Sequence, residues 1–149
     1  MAVKNPLQVK HLLNRKGQQV YFTRPEASVY EALQMMAELD IGALVVMQAG
    51  RLVGIFSERD YARKVILHGK SSHETRVQEI MTPRVYYVTP DHTVEDCMAL
   101  MTQKHIRHLP VIEGETVMGL ISIGDVVKCT IDEQGFMLEQ MENYITGSR

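Results

Sequence analysis

Apolar and polar positions along the chain fall into the same order twice. "VYFT" (20–23) and "VYYVT" (85–89) are β-branched and aromatic runs that suit strands, each stopped one or two residues later by Pro25 or Pro90. "SVYEALQMMAELD" (28–40) and "TVEDCMALMTQKH" (93–105) follow. Ser28 and Thr93 are placed as N-caps, with Glu31 and Asp96 three residues on. Val29, Leu33 and Met36, and in the second stretch Val94, Met98 and Met101, fall on one helical face and are expected in the core. Two unbroken apolar runs joined by a polar turn come next: 43–47 and 52–56, then 108–112 and 117–121. Continuous hydrophobicity predicts strands covered on both faces. A last helix starts near Ser57 or Ser122, so the unit is β-α-β-β-α and occurs twice.

Sliding the chain against itself by 65 positions aligns the copies without a gap from Pro25 to Asp60. Identical pairs include Val29/Val94, Met36/Met101, Ile41/Ile106, Leu44/Leu109, Val46/Val111, Gly54/Gly119, Ser57/Ser122 and Asp60/Asp125. A unit of about 60 residues is marginal alone, so the copies are expected to pack on each other. "HGKSSHETR" (68–76) reads as the connector. Outside the repeat lie an N-terminal helix near 7–16 and a tail, 136–147. In the tail Phe136, Met137, Met141, Tyr144 and Ile145 form an apolar stripe suited to covering the module or a second subunit.

Composition removes several function classes. At 149 residues and 45% hydrophobic content the chain can bury an ordinary core, and a net charge of −2 gives no general attraction for nucleic acid or anionic membrane. Any anion site must be local. No apolar run approaches the roughly 18 residues of a membrane span, and the N-terminus lacks an apolar signal region, so a cytoplasmic protein is expected. Cys97 and Cys129 sit among apolar neighbours and read as reduced core thiols. The chain has no H-E-x-x-H, C-x-x-C or G-x-G-x-x-G motif, and neither Ser57 nor Ser122 has a histidine near it in sequence. His105 and His108 alone fall short of a catalytic zinc set, so neither a metal site nor an enzyme is expected.

A duplicated β-α-β-β-α unit whose second strand pair ends in "GIFSERD" (54–60) and "GLISIGD" (119–125) resembles a tandem cystathionine-β-synthase (CBS) domain pair. It is most similar to the small stand-alone bacterial pairs, over about residues 9–133. The resemblance implies an α/β (α+β) fold of two CBS repeats related by pseudo-two-fold symmetry. The divisions are an extension at 1–8, repeats at 9–68 and 77–133, a linker at 69–76 and a helical tail at 134–149. It further implies clefts between the copies that hold an adenine nucleotide (AMP, ADP, ATP or NAD), and a homodimer. Asp60 and Asp125 would then hold ribose, and Ser57 and Ser122 would lie near phosphate. Arg107 and His108 would serve the Asp60 cleft and Arg59 the Asp125 cleft. Thr23, Ile41, Gly42, Ala43, Val88 and Ile106 would line the adenine pocket. No cofactor is required, and the regulated partner is not named by the sequence.

The repeated Ser and Asp admit two readings. S-x-x-D at a strand-to-helix junction is a capping box, which needs no ligand. The same junction presents unpaired N–H groups to a phosphate and a carboxylate to a ribose diol. A third class, a dimerisation scaffold with empty clefts, predicts the same fold.

Overall fold

The computed structural model describes residues 6–17 and 19–133; the tail stripe of 136–147 lies outside them. The elements are α1 (Val9–Lys16), β1 (Phe22–Thr23), α2 (Val29–Leu39), β2 (Ala43–Gln48), β3 (Arg51–Ser57), α3 (Glu58–Lys64), α4 (Val77–Ile80), α5 (Val94–Lys104), β4 (His108–Glu113), β5 (Thr116–Ser122) and α6 (Ile123–Glu133), with a 3-10 turn at Ile66–His68. The expected β-α-β-β-α order is present in the first copy, and the second has the same order with its first strand reduced to an isolated bridge. Ser28 and Thr93 cap α2 and α5 by accepting from the Glu31 and Asp96 backbone N–H groups. Asp40 and His105, 65 residues apart, end those helices in the left-handed conformation.

In the first copy β1 runs parallel to β2, which is antiparallel to β3, giving the order β1-β2-β3. The second copy forms only the β4-β5 hairpin, and the strand expected at 85–89 shrinks to one parallel bridge, Val88 to Val111. Pro110 is the reason. Val45, its counterpart, pairs with Phe22. Continuing the second ladder past Val88 calls on the N–H of residue 110, which proline lacks.

Two cores form, and each draws on a segment that lies outside its own repeat unit. α1 contributes Val9, Leu12 and Leu13 to the core of the second copy, beside Val94, Cys97, Met101, Leu109 and Ile121. α4 contributes Val77 and Ile80 to the core of the first, beside Val29, Met36, Leu44, Val46 and Phe56. Each copy is thus completed by the segment that precedes the other copy in sequence. The expected stripe of α5 is shifted: Val94, Cys97 and Met101 are buried, while Met98 is 43% exposed. Cys97, three residues after Val94, occupies the inward position expected of Met98. Cys97 and Cys129 are both buried free thiols. Burial pushes the Cys97 thiol up to about 11, far from thiolate chemistry at neutral pH.

Candidate functional site

The shared Gly, Ser and Asp have separable roles. A Cβ on Gly54 would lie 2.7 Å from Met81 Sδ and 3.1 Å from the Thr82 carbonyl; one on Gly119 would lie 2.8 Å from Leu13 Cδ2. Each glycine therefore admits the segment that completes its copy. At Gly54 that segment pairs with β3, through Ile55 N–H to Thr82 O (3.0 Å) and Thr82 N–H to Ile55 O (2.9 Å).

Ser57 and Asp60 form a capping box on α3, and Asp60 does more than cap. Its Oδ2 accepts from the Ser57 N–H (2.9 Å) and the Ser57 hydroxyl (3.1 Å). Its Oδ1 accepts from the Thr82 hydroxyl (3.1 Å) and pairs with Lys64 Nζ at 3.0 Å. All four acceptor positions of this carboxylate, 8% exposed, are engaged. Asp125 has the same cap, accepting from the Ser122 N–H at 2.8 Å, but its second partner is Lys16 at the end of α1. Lys16 Nζ donates to Asp125 Oδ2 (2.5 Å) and to the Leu120 carbonyl (2.6 Å). Burial pushes the Asp125 carboxyl up, but the Lys16 ammonium and the Ser122 donors outweigh it and hold it below the ordinary carboxylate range.

A cleft of about 1100 Å³ opens between the copies. Ser57, Arg59 and Asp60 reach it from the first copy, and Ile106, Arg107 and His108 from the second, with Gly42 beside them. Arg107 and His108 thus line the same cleft as Asp60. Arg59 does not go to Asp125. It lines the Asp60 cleft, donating from Nη1 to the His105 carbonyl at 2.7 Å. The reason is the left-handed turn at His105, which ends α5 with an unpaired carbonyl at the negative pole of the helix, where a guanidinium is favoured. Ser122 and Asp125 are not among the groups lining the cleft, and the Asp125 carboxylate is paired with Lys16.

Of the six residues expected around adenine, Gly42 and Ile106 line the cleft. Thr23 and Ala43 are held in the first sheet opposite Val46 and Ser57, Val88 forms the single bridge to Val111, and Ile41 packs on the first core. Val85, Tyr86 and Met101 supply apolar surface to the cleft instead. Arg63, Lys64, Thr82 and Arg84 also line it. Their only sequence signals are the helical spacing of Arg63 from Arg59 and the short "MTPR" run, neither informative without the fold. Burial holds the His108 ring below the ordinary histidine range, with the Lys16 charge acting in the same direction.

Among the described residues, no group of three His, Cys, Asp or Glu side chains is placed to hold a metal, and no helix is long and apolar enough to cross a membrane. The two α/β copies thus meet around one cation-rich cleft. The chain belongs to the CBS domain family, whose model matches residues 9–66 and 77–132. It is 43% identical over 125 residues to the CBS domain-containing protein CBSX3, mitochondrial, of Arabidopsis thaliana, over 80% of this chain but 61% of that longer protein. Among solved structures, a CBS domain at 50% identity has a TM-score of 0.82, covering 85% of this chain and 99% of its own. A CBS-domain protein of Burkholderia ambifaria, provisionally described as acting in signal transduction, is 48% identical with a TM-score of 0.82, covering 85% and 96%. The CBS pair of protein MJ0100, crystallised with 5′-methylthioadenosine and S-adenosyl-L-methionine, shares the fold at 23% identity and a TM-score of 0.76, covering 87% of this chain and 99% of its own.

Proposed function

We propose that the chain is a cytoplasmic ligand-sensing module, not an enzyme, that binds one adenine nucleotide (AMP, ADP, ATP or NAD) in the Asp60 cleft. The observation that carries this reading is the convergence of Ser57, Arg59 and Asp60 from one copy with Arg107 and His108 from the other. Cations from both copies suit a phosphate, Asp60 suits a ribose diol, and Val85, Tyr86 and Ile106 give a base an apolar wall. The adenosine ligands of the MJ0100 pair are consistent with such use of the fold. Ligand ties the copies together across the cleft and biases a surface read by a partner protein, which is a population shift. Nucleotide at 100 times its dissociation constant should raise stability by about 2.7 kcal/mol. A thermal melt unmoved by millimolar AMP, ADP, ATP and NAD would leave the scaffold reading in its place.

The assembly in this reading is a homodimer. Ile123, Val127 and Ile131, 44–46% exposed, fall at four-residue spacing along α6. Rows of this kind are commonly covered by a second copy. Light scattering at micromolar concentration should report twice the chain mass; a monomer would reject the dimer.

A further inference from the structure

Among the described residues, none of the four arginines lining the cleft has a counter-ion, and of these only Arg59 has an acceptor, the His105 carbonyl. Lys10, Arg15, Lys16 and Lys64 each pair with an aspartate, whereas among the described residues Arg63, Arg84 and Arg107 have no carboxylate within ion-pair distance and no hydrogen-bond acceptor for the guanidinium. They come from separate elements. Arg63 follows Arg59 by one turn of α3, about 6 Å along the axis. Arg84 lies two residues past Thr82, whose hydroxyl is bonded to Asp60. Arg107 precedes β4. Among the described residues only Glu58 and Asp60 bring negative charge to the cleft, and Asp60 is already neutralised by Lys64. Like charges one helical turn apart repel, and an anion between Arg59 and Arg63 would relieve that repulsion.

A single phosphate, with charge near −1.5 to −2, matches one or two cations and leaves the remainder of this set unpaired. A chain of two or three phosphates matches it in charge. We infer that the cleft selects nucleotides with two or more linked phosphates, and that Arg63 and Arg84, with Arg107, engage the groups beyond the first. The inference rests on the nucleotide reading above.

Calorimetry on the full chain with AMP, ADP, ATP and inorganic tripolyphosphate, repeated on Arg63→Gln, Arg84→Gln and the double variant, tests it. ATP should bind at least about tenfold more tightly than AMP, as one added charge-assisted contact gives. The double variant should lower the ATP-to-AMP affinity ratio to below about threefold, and the melting temperature of each ligand-free variant checks that it folds. AMP binding as tightly as ATP overturns the selectivity and leaves the nucleotide reading standing. Tripolyphosphate binding as tightly as ATP shows a polyanion site with no use for adenosine, and an unchanged ratio in the double variant removes Arg63 and Arg84 from the assignment. Binding by none of the ligands overturns both readings.

Discussion

Gly54→Val is expected to destabilise the chain by about 2–3 kcal/mol, and Gly119→Val by about 1–2 kcal/mol, although the two glycines are equivalent in the repeat. Both sites are closed by a neighbouring segment, but by different atoms. At Gly54 a Cβ meets the Met81 sulfur and, at 3.1 Å, the Thr82 carbonyl oxygen. Side-chain rotation cannot relieve the second contact. The segment must move off β3, straining the two backbone bonds between Ile55 and Thr82, each of net value about 0.5–1.5 kcal/mol. That movement also disturbs Thr82, which holds Asp60 Oδ1. At Gly119 the close atom is a methyl at the end of the Leu13 side chain, which can turn aside at the cost of a rotamer and some packing. Chemical denaturation of both variants checks the order. If Gly119→Val proved the more costly, flexibility of the Leu13 contact would be the wrong account.

How much of this is legible in the sequence depends on the range of the interaction. The helices, the two hairpins and the capping boxes follow from local signals: Ser28 and Thr93 cap α2 and α5, and Ser57 caps α3, where the residue pattern puts them. The meeting of Asp60 with Arg107 and His108 is reached only through likeness to a family, because nothing local ties residue 60 to residue 107. The crossed completion of the cores is not legible. α4 has four residues, too few to show a periodicity, and α1 reads equally well as an amphipathic helix on either copy. Lys16 beside Asp125 follows from that crossing and is hidden with it. The shortfall of strand at 85–89 is visible in principle, since Pro110 sits where Val45 sits in the first copy. It can be interpreted only once the parallel pairing of that edge is known.

Asp60→Asn and Asp125→Asn are expected to separate the two copies functionally. In Asp60→Asn the new side chain would keep one carbonyl for the Ser57 donors, but it would turn an amide nitrogen towards Lys64 and Thr82, losing the charged contacts of a buried group. The stability cost should be about 1–3 kcal/mol. Nucleotide binding should weaken about ten- to a hundredfold, the equivalent of about 1.5–3 kcal/mol, because ribose hydroxyls must replace existing donors on this carboxylate and gain from its charge. Asp125→Asn releases Lys16 from a partly exposed pair worth about 0.5–1 kcal/mol and should leave nucleotide affinity within about twofold, since Asp125 does not line the cleft. Acid dependence gives an independent readout of the second aspartate. Its carboxyl titrates below its ordinary value of 3.8 when folded, so the stability it contributes is present above that pH and is lost as pH falls through the folded value. Acid unfolding of Asp125→Asn should therefore fall less steeply below that range than the wild type. Calorimetry showing equal losses of affinity in the two variants would mean that Lys16 yields to ligand and that both clefts are sites. Unchanged affinity in both would leave the two aspartates as caps alone.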